Sequence, residues 1–417
     1  MQEPTTGGVT ALDRGPELAW RRHQPVNTLN NRVLITEDAP SYGVLAAVRA
    51  LRSAGYLPWL AVTGRDAYSL RSRACAGVVT VPDPQEDREE YLDAIERAAD
   101  RLGVAAVLPG TDLALLALSS ANGSLPEEIA FGVLDPETVH RATDKLGLDA
   151  LAAQAGLNTP PSIRCTAAEI ESGLEVPLPA VVKPASTRTA TADGGFATSY
   201  VHRAESREEL VSAVRSMPGE VALIQKAVEG ALTASCGVCW QGEVVAMAHQ
   251  VSRRIFPPGN GITAFAESVE PDPAVEAGVT QLMSLLRWSG IFQAQFVRSG
   301  QTSYLIDLNP RIYGSLALAI AAGLNLPAIW ADLLLGKTPR VGAYRVGARF
   351  RSEERDLAAL ATSIMSLDWR TALAVLRPRR GTVHALGSLT DPLPLLMGGR
   401  MARIRRLRAR RTWAPAA

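Results

Sequence analysis

The chain has 417 residues, 47% of them hydrophobic, and its 43 basic side chains against 42 acidic ones leave a formal net charge of +1. That length and apolar content suit a globular protein of two or three domains with ample core. The near-neutral balance carries no mandate for a specific nucleic-acid partner, and the longest apolar stretch, 316–335, is a poor membrane span because Gly323, Asn325, Pro327 and Asp332 interrupt it.

Residues 1–30 are rich in turn formers and lack the charged, apolar and small-residue sections of a secretion signal, so a mobile extension on a cytoplasmic protein is expected. From Asn31 the pattern alternates, with strands predicted over 33–36, 57–62, 77–81 and 104–108 and helices over 44–54 and 91–102. This alternation predicts a doubly wound parallel sheet over 31–137. The turn after its first strand, Glu37-Asp38-Ala39-Pro40-Ser41-Tyr42-Gly43, lacks the GxGxxG spacing, so no dinucleotide cofactor is expected there.

Lysine usage marks the next section. Only Lys145, Lys183, Lys226 and Lys337 are lysines among the 43 basic residues, so wherever one persists the chain's preference for arginine is overridden. Lys183 ends the apolar strand Pro179-Ala180-Val181-Val182, and a loop of small residues containing Gly194 and Gly195 follows it. Backbone N–H groups of such a loop can lie over phosphates. Further on, Arg253-Arg254 precede a turn-rich stretch read as lying between a strand and a helix. Their guanidinium forks suit a carboxylate or an acyl phosphate, and Arg254 is taken as a catalytic candidate.

The stretch Tyr304-Leu305-Ile306-Asp307-Leu308-Asn309-Pro310-Arg311 sets a carboxylate, a carboxamide and a guanidinium at every second position behind an apolar run. In a strand Asp307 and Asn309 share a face with Arg311 just beyond, giving two oxygen donors for a hard cation and a fork for phosphate or carboxylate. The strand over 291–297 forms a hairpin with it. Gln295 shares that face only if the connecting loop holds an odd number of residues, such as Ser299–Gln301. Gly314 and Ser315 then open an apolar helix whose N-terminus lies near Arg311.

Taken in order, Asp144-Lys145, Val182-Lys183-Pro184, the Gly194-Gly195 loop, Ile224-Gln225-Lys226-Ala227-Val228-Glu229-Gly230, Gln295 and Asp307-Leu308-Asn309-Pro310-Arg311 resemble an ATP-grasp ligase. The glutamine at 295 is similar to the carbamoyl phosphate synthetase-like branch. The resemblance implies an α/β fold. Its parts are a pre-ATP-grasp Rossmann-like domain (31–137), a two-lobed α+β ATP-grasp module (138–340) and a C-terminal extension with a basic tail (341–417). It implies ATP and Mg²⁺ or Mn²⁺ as cofactors. Lys145 and Lys183 would neutralise phosphates beneath the loop at Gly194 and Gly195, and Gln225, Lys226, Ala227, Val228 and Glu229 would form the adenine-side hinge. Asp307, Asn309 and Gln295 would hold the metal, and Arg311 the transferring phosphoryl group or the substrate carboxylate. The pattern departs in three places: Gln225-Lys226 and Leu232 replace frequent acids, the phosphate loop is poor in glycine, and Asp307 stands for a more common glutamate.

The implied reaction is ATP-dependent ligation of a small-molecule carboxylate to an amine through an acyl phosphate, with ADP released. Carboxyphosphate chemistry and a non-catalytic ATP-binding regulatory or scaffold role are the alternatives, and a homodimer is a common expectation. Cys236-Gly237-Val238-Cys239 lies in a strand, where residues three apart face opposite ways, and has no second pair for a metal site. His23, His140, His202, His249 and His384 show no ligand or triad spacing. The tail carries Arg400, Arg403, Arg405, Arg406, Arg408, Arg410 and Arg411. Such an end can bind an anionic membrane surface, nucleic acid or an acidic carrier partner, or is simply a solvated helix or tail, and the chain's general arginine bias favours the last.

Overall fold

Val33, Leu34 and Ile35 form an unbroken aliphatic run, and all three are fully buried, as a parallel strand covered on both faces requires. A computed structural model describes residues 30–121, 126–184, 188–190, 196–198, 201–217, 221–259, 261–377 and 379–396. Its first unit runs β1 (Arg32–Glu37), α1 (Tyr42–Ser53), β2 (Leu57–Val62), β3 (Gly77–Thr80), α2 (Arg88–Leu102), β4 (Ala106–Leu108), α3 (Asp112–Ser120) and β5 (Ala130–Phe131). The strands are parallel and ordered β3-β2-β1-β4-β5. Ser41 caps α1 by accepting the Val44 N–H at 3.2 Å, and Thr111 caps α3 by accepting the Ala114 N–H at 3.3 Å. The order of strand addition reverses between β1 and β4, which opens a crevice outside their carboxyl ends. Asp38 and Thr111 meet there through the Thr111 hydroxyl.

The second unit begins with α4 (Pro136–Thr143) and α5 (Leu148–Gln154), followed by β6 (Ser162–Cys165), α6 (Ala167–Glu171), β7 (Ala180–Pro184), β8 (Arg188–Ala190), β9 (Phe196–Thr198), β10 (His202–Ala204), α7 (Arg207–Arg215) and β11 (Ala222–Lys226). Its four-stranded sheet has the order β10-β7-β11-β6, and β8 pairs with β9. The third unit contains β12 (Ala231–Trp240), β13 (Glu243–Phe256), β14 (Ile262–Ser268), α8 (Pro273–Leu286), β15 (Gly290–Ser299), β16 (Thr302–Asn309), α9 (Leu316–Ala321), α10 (Leu326–Leu334), β17 (Arg349–Arg351), α11 (Glu353–Met365), α12 (Trp369–Leu376) and β18 (Thr382–His384). Its seven strands run β16-β15-β12-β13-β14-β17-β18.

Two differences from the sequence reading follow. The turn-rich stretch after Arg254 connects two strands, because β13 continues to Phe256 and folds back as β14, with Phe256 opposite Ile262. Residues beyond 340, expected as an extension, supply β17 and β18 to the large sheet, where Phe350 pairs with Ala266 and is fully buried. The β17 ladder ties that segment to the preceding module.

One face of the large sheet packs Phe292, Ala294, Phe296 and Leu305 against Leu282 and Met283 of α8. The other packs Ala234, Cys236 and Ala248 into a core shared with Val44, Leu45 and Val48 of α1 and with α9 and α10. The first unit therefore docks on the sheet face that carries the polar residues of β15 and β16. Close approach explains Gly43, where a β-carbon would stand 2.4 Å from the Tyr313 carbonyl oxygen. Cys236 and Cys239 enter opposite cores, and burial pushes the Cys236 thiol up to about 12. Among the described residues no helix is long and apolar enough to cross a membrane.

Candidate active site

The β15–β16 hairpin turns through Gly300 and Gln301, since Ser299 already pairs with Thr302. Gly300 occupies the left-handed region at φ +59. Two is an even number, and continued without interruption that register would set Gln295 opposite Ile306. The ladder instead pairs Phe296 with Leu305 and Gln295 with Asp307. Ile306 is the extra residue of a β-bulge, which rotates Asp307 onto the Gln295 face and frees the Ile306 carbonyl from the ladder. Lys183, at the end of β7, donates its ammonium to that carbonyl.

Lys183 is 6% exposed. Burial lowers its pKa to about 8, with Lys145 acting in the same direction and Asp307 and Asp149 opposing. Lys145, in the link between α4 and α5, stands 3.0 Å from Asp307 Oδ1. Burial alone would raise the Asp307 carboxyl, but Lys145, Lys183 and Arg311 outweigh it and hold the group below the usual carboxylate range. Three elements thus bring two ammonium groups onto one carboxylate that carries one charge. The excess of positive charge is what a triphosphate would neutralise.

Arg311 donates to Asp112 at 2.7 Å, to the Ile312 carbonyl at 3.0 Å and to Asn309 Oδ1 at 3.2 Å. Asp112 opens α3 of the first unit, so Arg311 ties the parallel-sheet crevice to the hairpin. Asn309 Nδ2 lies 3.4 Å from both Gln295 Oε1 and Asp307 Oδ2. Beyond them Gln293 Nε2, Ser315 and Gln250 Oε1 form a buried chain at 3.4 and 3.0 Å. Arg254 is placed differently from its sequence reading: it pairs with Asp356 at 2.7 Å and stacks over Phe265, and among the described residues it bonds to none of those around Asp307. The long reach of β13 carries it to α11, on the far side of the sheet order from β16.

On the hinge, Gln225 is buried within the β7–β11–β6 ladder. The Lys226 and Ala227 N–H groups donate to the Pro161 and Pro179 carbonyls at 2.8 and 2.9 Å. Those two donors are therefore engaged, whereas the Val228 N–H has no hydrogen-bond partner among the described residues. Glu229 is 80% exposed and pairs with Arg203 at 3.0 Å, while Lys226 is exposed. Gly194 and Gly195 lie outside the described residues.

Several residues near this site carry no motif in the sequence. Asp112 and Asp149 act on Arg311 and Lys183 respectively. Around the crevice, Tyr42 and Tyr68 stack at 5.0 Å and both donate to Glu354 Oε2, the Tyr68 bond measuring 2.7 Å, while Arg355 lies over the Tyr42 ring. Glu37 ends β1, is 1% exposed and accepts the Ser41 N–H at 3.0 Å. Burial pushes its carboxyl up to about 7.

The donor set at 295, 307 and 309 is one carboxylate and two carboxamides, all hard oxygen ligands. A half-turn of the Asn309 amide would exchange Nδ2 for oxygen facing Asp307, at the expense of the Arg311 bond. Such a set fits Mg²⁺ that takes most of its ligands from phosphates and water, and it is no closed protein cage. Among the described residues no group of three or more His, Cys, Asp or Glu side chains forms a metal cluster.

Residues 235–355 match a family described as ATP-grasp in the biosynthetic pathway with Ter operon. No curated protein matches the chain in sequence. An L-amino acid ligase from Bacillus licheniformis is similar in structure, at a TM-score of 0.57 and 18% identity over 73% of this chain and 74% of that one. An N5-carboxyaminoimidazole ribonucleotide synthetase from Thermus thermophilus gives 0.56 and 18% over 76% and 82%. The biotin carboxylase domain of a Hydrogenobacter thermophilus 2-oxoglutarate carboxylase, in complex with MgADP, ADP and bicarbonate, gives 0.58 and 14% over 77% and 73%. At these identities the likeness is one of fold, and the match to the ATP-grasp family covers residues 235–355, less than a third of the chain.

Proposed function

We propose that this protein is an ATP-dependent ligase that activates a small-molecule carboxylate as an acyl phosphate, releases ADP, and joins the acyl group to an amine. The observation that carries this reading is the convergence of Lys145 and Lys183 on Asp307, with Gln295 and Asn309 beside it. Phosphoryl transfer needs little covalent help from a protein; it needs charge neutralised and oxygens aligned. Lys145 and Lys183 would hold the phosphates. The Val228 N–H would serve as a hinge donor for adenine, since those of Lys226 and Ala227 are engaged. Asp307, Gln295 and Asn309 would hold Mg²⁺, which supplies charge neutralisation on the phosphoryl oxygens.

The acceptor side would be the crevice outside β1 and β4. A carboxylate oxygen bonds to the γ-phosphorus as the bond to the ADP oxygen breaks. The amine nitrogen then attacks the acyl carbon and phosphate leaves with its electron pair, while the nitrogen gives up a proton. Arg311 stands where the first unit meets the hairpin, so its guanidinium suits the anion that crosses between them. Release of ADP and phosphate from Mg-ATP, with pooled carboxylates and amines, tests the reading. Release that depends on the pool and is lost in Asp307→Ala supports it, whereas AMP with pyrophosphate refutes the acyl-phosphate route.

A further inference from the structure

Helix α11 packs on β13 and β14 and buries Asp356, Ala359 and Ser363. Its other side carries Leu357, Ala361, Ile364 and Met365 at i, i+4, i+7 and i+8, the spacing of one helical face, and all four are exposed. The outer face of a surface helix is ordinarily polar; this one is apolar. Helix α12 repeats the pattern: Ala372 and Val375 are buried, while Trp369, Leu373 and Leu376, at i, i+4 and i+7, are exposed. The turn between the helices adds Leu367, held at φ +59, a left-handed conformation that glycine or asparagine adopts at lower cost. Steps of two to four residues link these positions from Leu357 to Leu376. Side chains three or four apart on a helix are neighbours, so the stripe runs along α11, round the turn and along α12.

Size and charge together indicate what covers this stripe. Its seven large side chains are 46–85% exposed. At roughly 100 Å² apiece they present on the order of 700 Å². That is more than the ~300–600 Å² of the largest apolar patch on a typical monomer, and it approaches the ~800 Å² that each partner gives to a stable interface. From Leu357 to Leu376 the charged residues are Asp368 and Arg370, one of each sign, and the Asp368 carboxylate caps α12 by accepting the Thr371 N–H at 3.1 Å. A helix that lies in an anionic bilayer carries a polar face rich in lysine or arginine, whereas α11 has no basic residue after Arg355. A strongly charged protein partner would equally find no complementary charge. An uncharged apolar stripe is complementary to itself, and two such hairpins packed face to face form a four-helix bundle with the stripes inside.

We propose that the α11–α12 hairpin is the surface through which two copies of this chain associate. The pairing is isologous, the same stripe on each copy, and therefore closes at a dimer. The copies meet beside the crevice, because Glu354, which accepts the Tyr42 and Tyr68 hydroxyls, lies three residues before Leu357 on α11.

Sedimentation velocity of the full chain is the test. At micromolar concentration the expected mass is twice the 44.4 kDa of one chain, falling to that of one chain on dilution. Met365→Glu and Leu373→Glu each place a charge on the stripe and leave the buried side of the hairpin intact. Each should raise the dissociation constant at least about tenfold. Leu389→Glu, at a fully exposed leucine outside the hairpin, should leave it unchanged. Unchanged far-UV circular dichroism shows that each variant is folded. A full chain that stays at the mass of one copy would overturn the proposal. Doubling of that mass on removal of residues 397–417 would then assign the stripe to the chain's own end, and flotation with phosphatidylglycerol vesicles would assign it to a bilayer. A doubled mass that survives both charge substitutions would place the interface elsewhere and overturn the proposal, and mass growing beyond two copies would mean unspecific aggregation and overturn it equally.

Discussion

Gln295 faces Asp307 across the β15–β16 ladder only because Ile306 is bulged out of it. The same bulge releases the carbonyl that receives Lys183. One extra residue therefore sets both the oxygen pair and the lysine, and a substitution at 295 should act directly on whatever cation Asp307 holds. In Gln295→Glu a second carboxylate enters a site already carrying two ammonium groups. The Mn²⁺ concentration for half-maximal ADP release should fall by about threefold or more, because ligand charge sets affinity for hard cations. An unchanged or higher requirement would show that residue 295 does not face the metal.

Lys183 gives a pH dependence with a definite sign. Its pKa is lowered from 10.5 to about 8 by burial, so between those values the unfolded chain binds more protons than the folded one, and stability rises with pH. Lys183→Met removes this term: the variant should be the more stable at pH 7, with its advantage shrinking by pH 10. Thermal midpoints across that range decide it. A bound triphosphate favours the charged ammonium, so ATP binding near pH 8 should take up a proton, visible as a buffer-dependent enthalpy in calorimetry. The same uptake in Lys183→Met would point to a different group.

Much of this site was legible in sequence, and the limits have physical causes. Asp307, Asn309 and Arg311 stand out because strand periodicity makes alternation visible, and the scarcity of lysine singles out Lys183. The bulge was not legible, since Ile306 sits in an apolar run that reads as uninterrupted strand. The odd-loop condition for Gln295 failed at the turn and was restored by the ladder. Asp112 lies 199 residues from Arg311, and only the docking of the first unit on the large sheet brings them together. Arg254 carries the right chemistry, but its position along β13 gives it to Asp356. The parallel sheet of the first unit was readable because its strands and helices alternate, whereas β17 and β18 are three residues each and leave little pattern.

The Arg311–Asp112 pair should matter to both stability and binding. Asp112→Asn keeps a hydrogen-bond acceptor but leaves the guanidinium without its counter-charge, at a cost of about 1–3 kcal/mol. Denaturant unfolding should show that loss as a lower midpoint with unchanged slope. If Arg311 takes the substrate anion, freeing it from Asp112 should also lower KM for the carboxylate more than it changes kcat. A stability loss with KM unchanged would make the pair a domain clasp only.

Glu37 provides a test that is independent of the nucleotide site. It closes β1 with its side chain buried, accepts the Ser41 N–H at 3.0 Å, and has Asp38 as its neighbour. Burial first, and Asp38 further, raise its carboxyl from 4.5 to about 7. Between those values the folded protein holds a proton that the unfolded chain has released, so stability falls as pH rises through the window. Glu37→Gln retains an acceptor for Ser41 and removes the ionisation. Parent and variant should melt close together at pH 5, and the variant should melt at least about 2 °C higher at pH 8. A gap of the same size at both pH values would mean that Glu37 does not titrate in this range, and that the crevice beside Thr111 stabilises its charge.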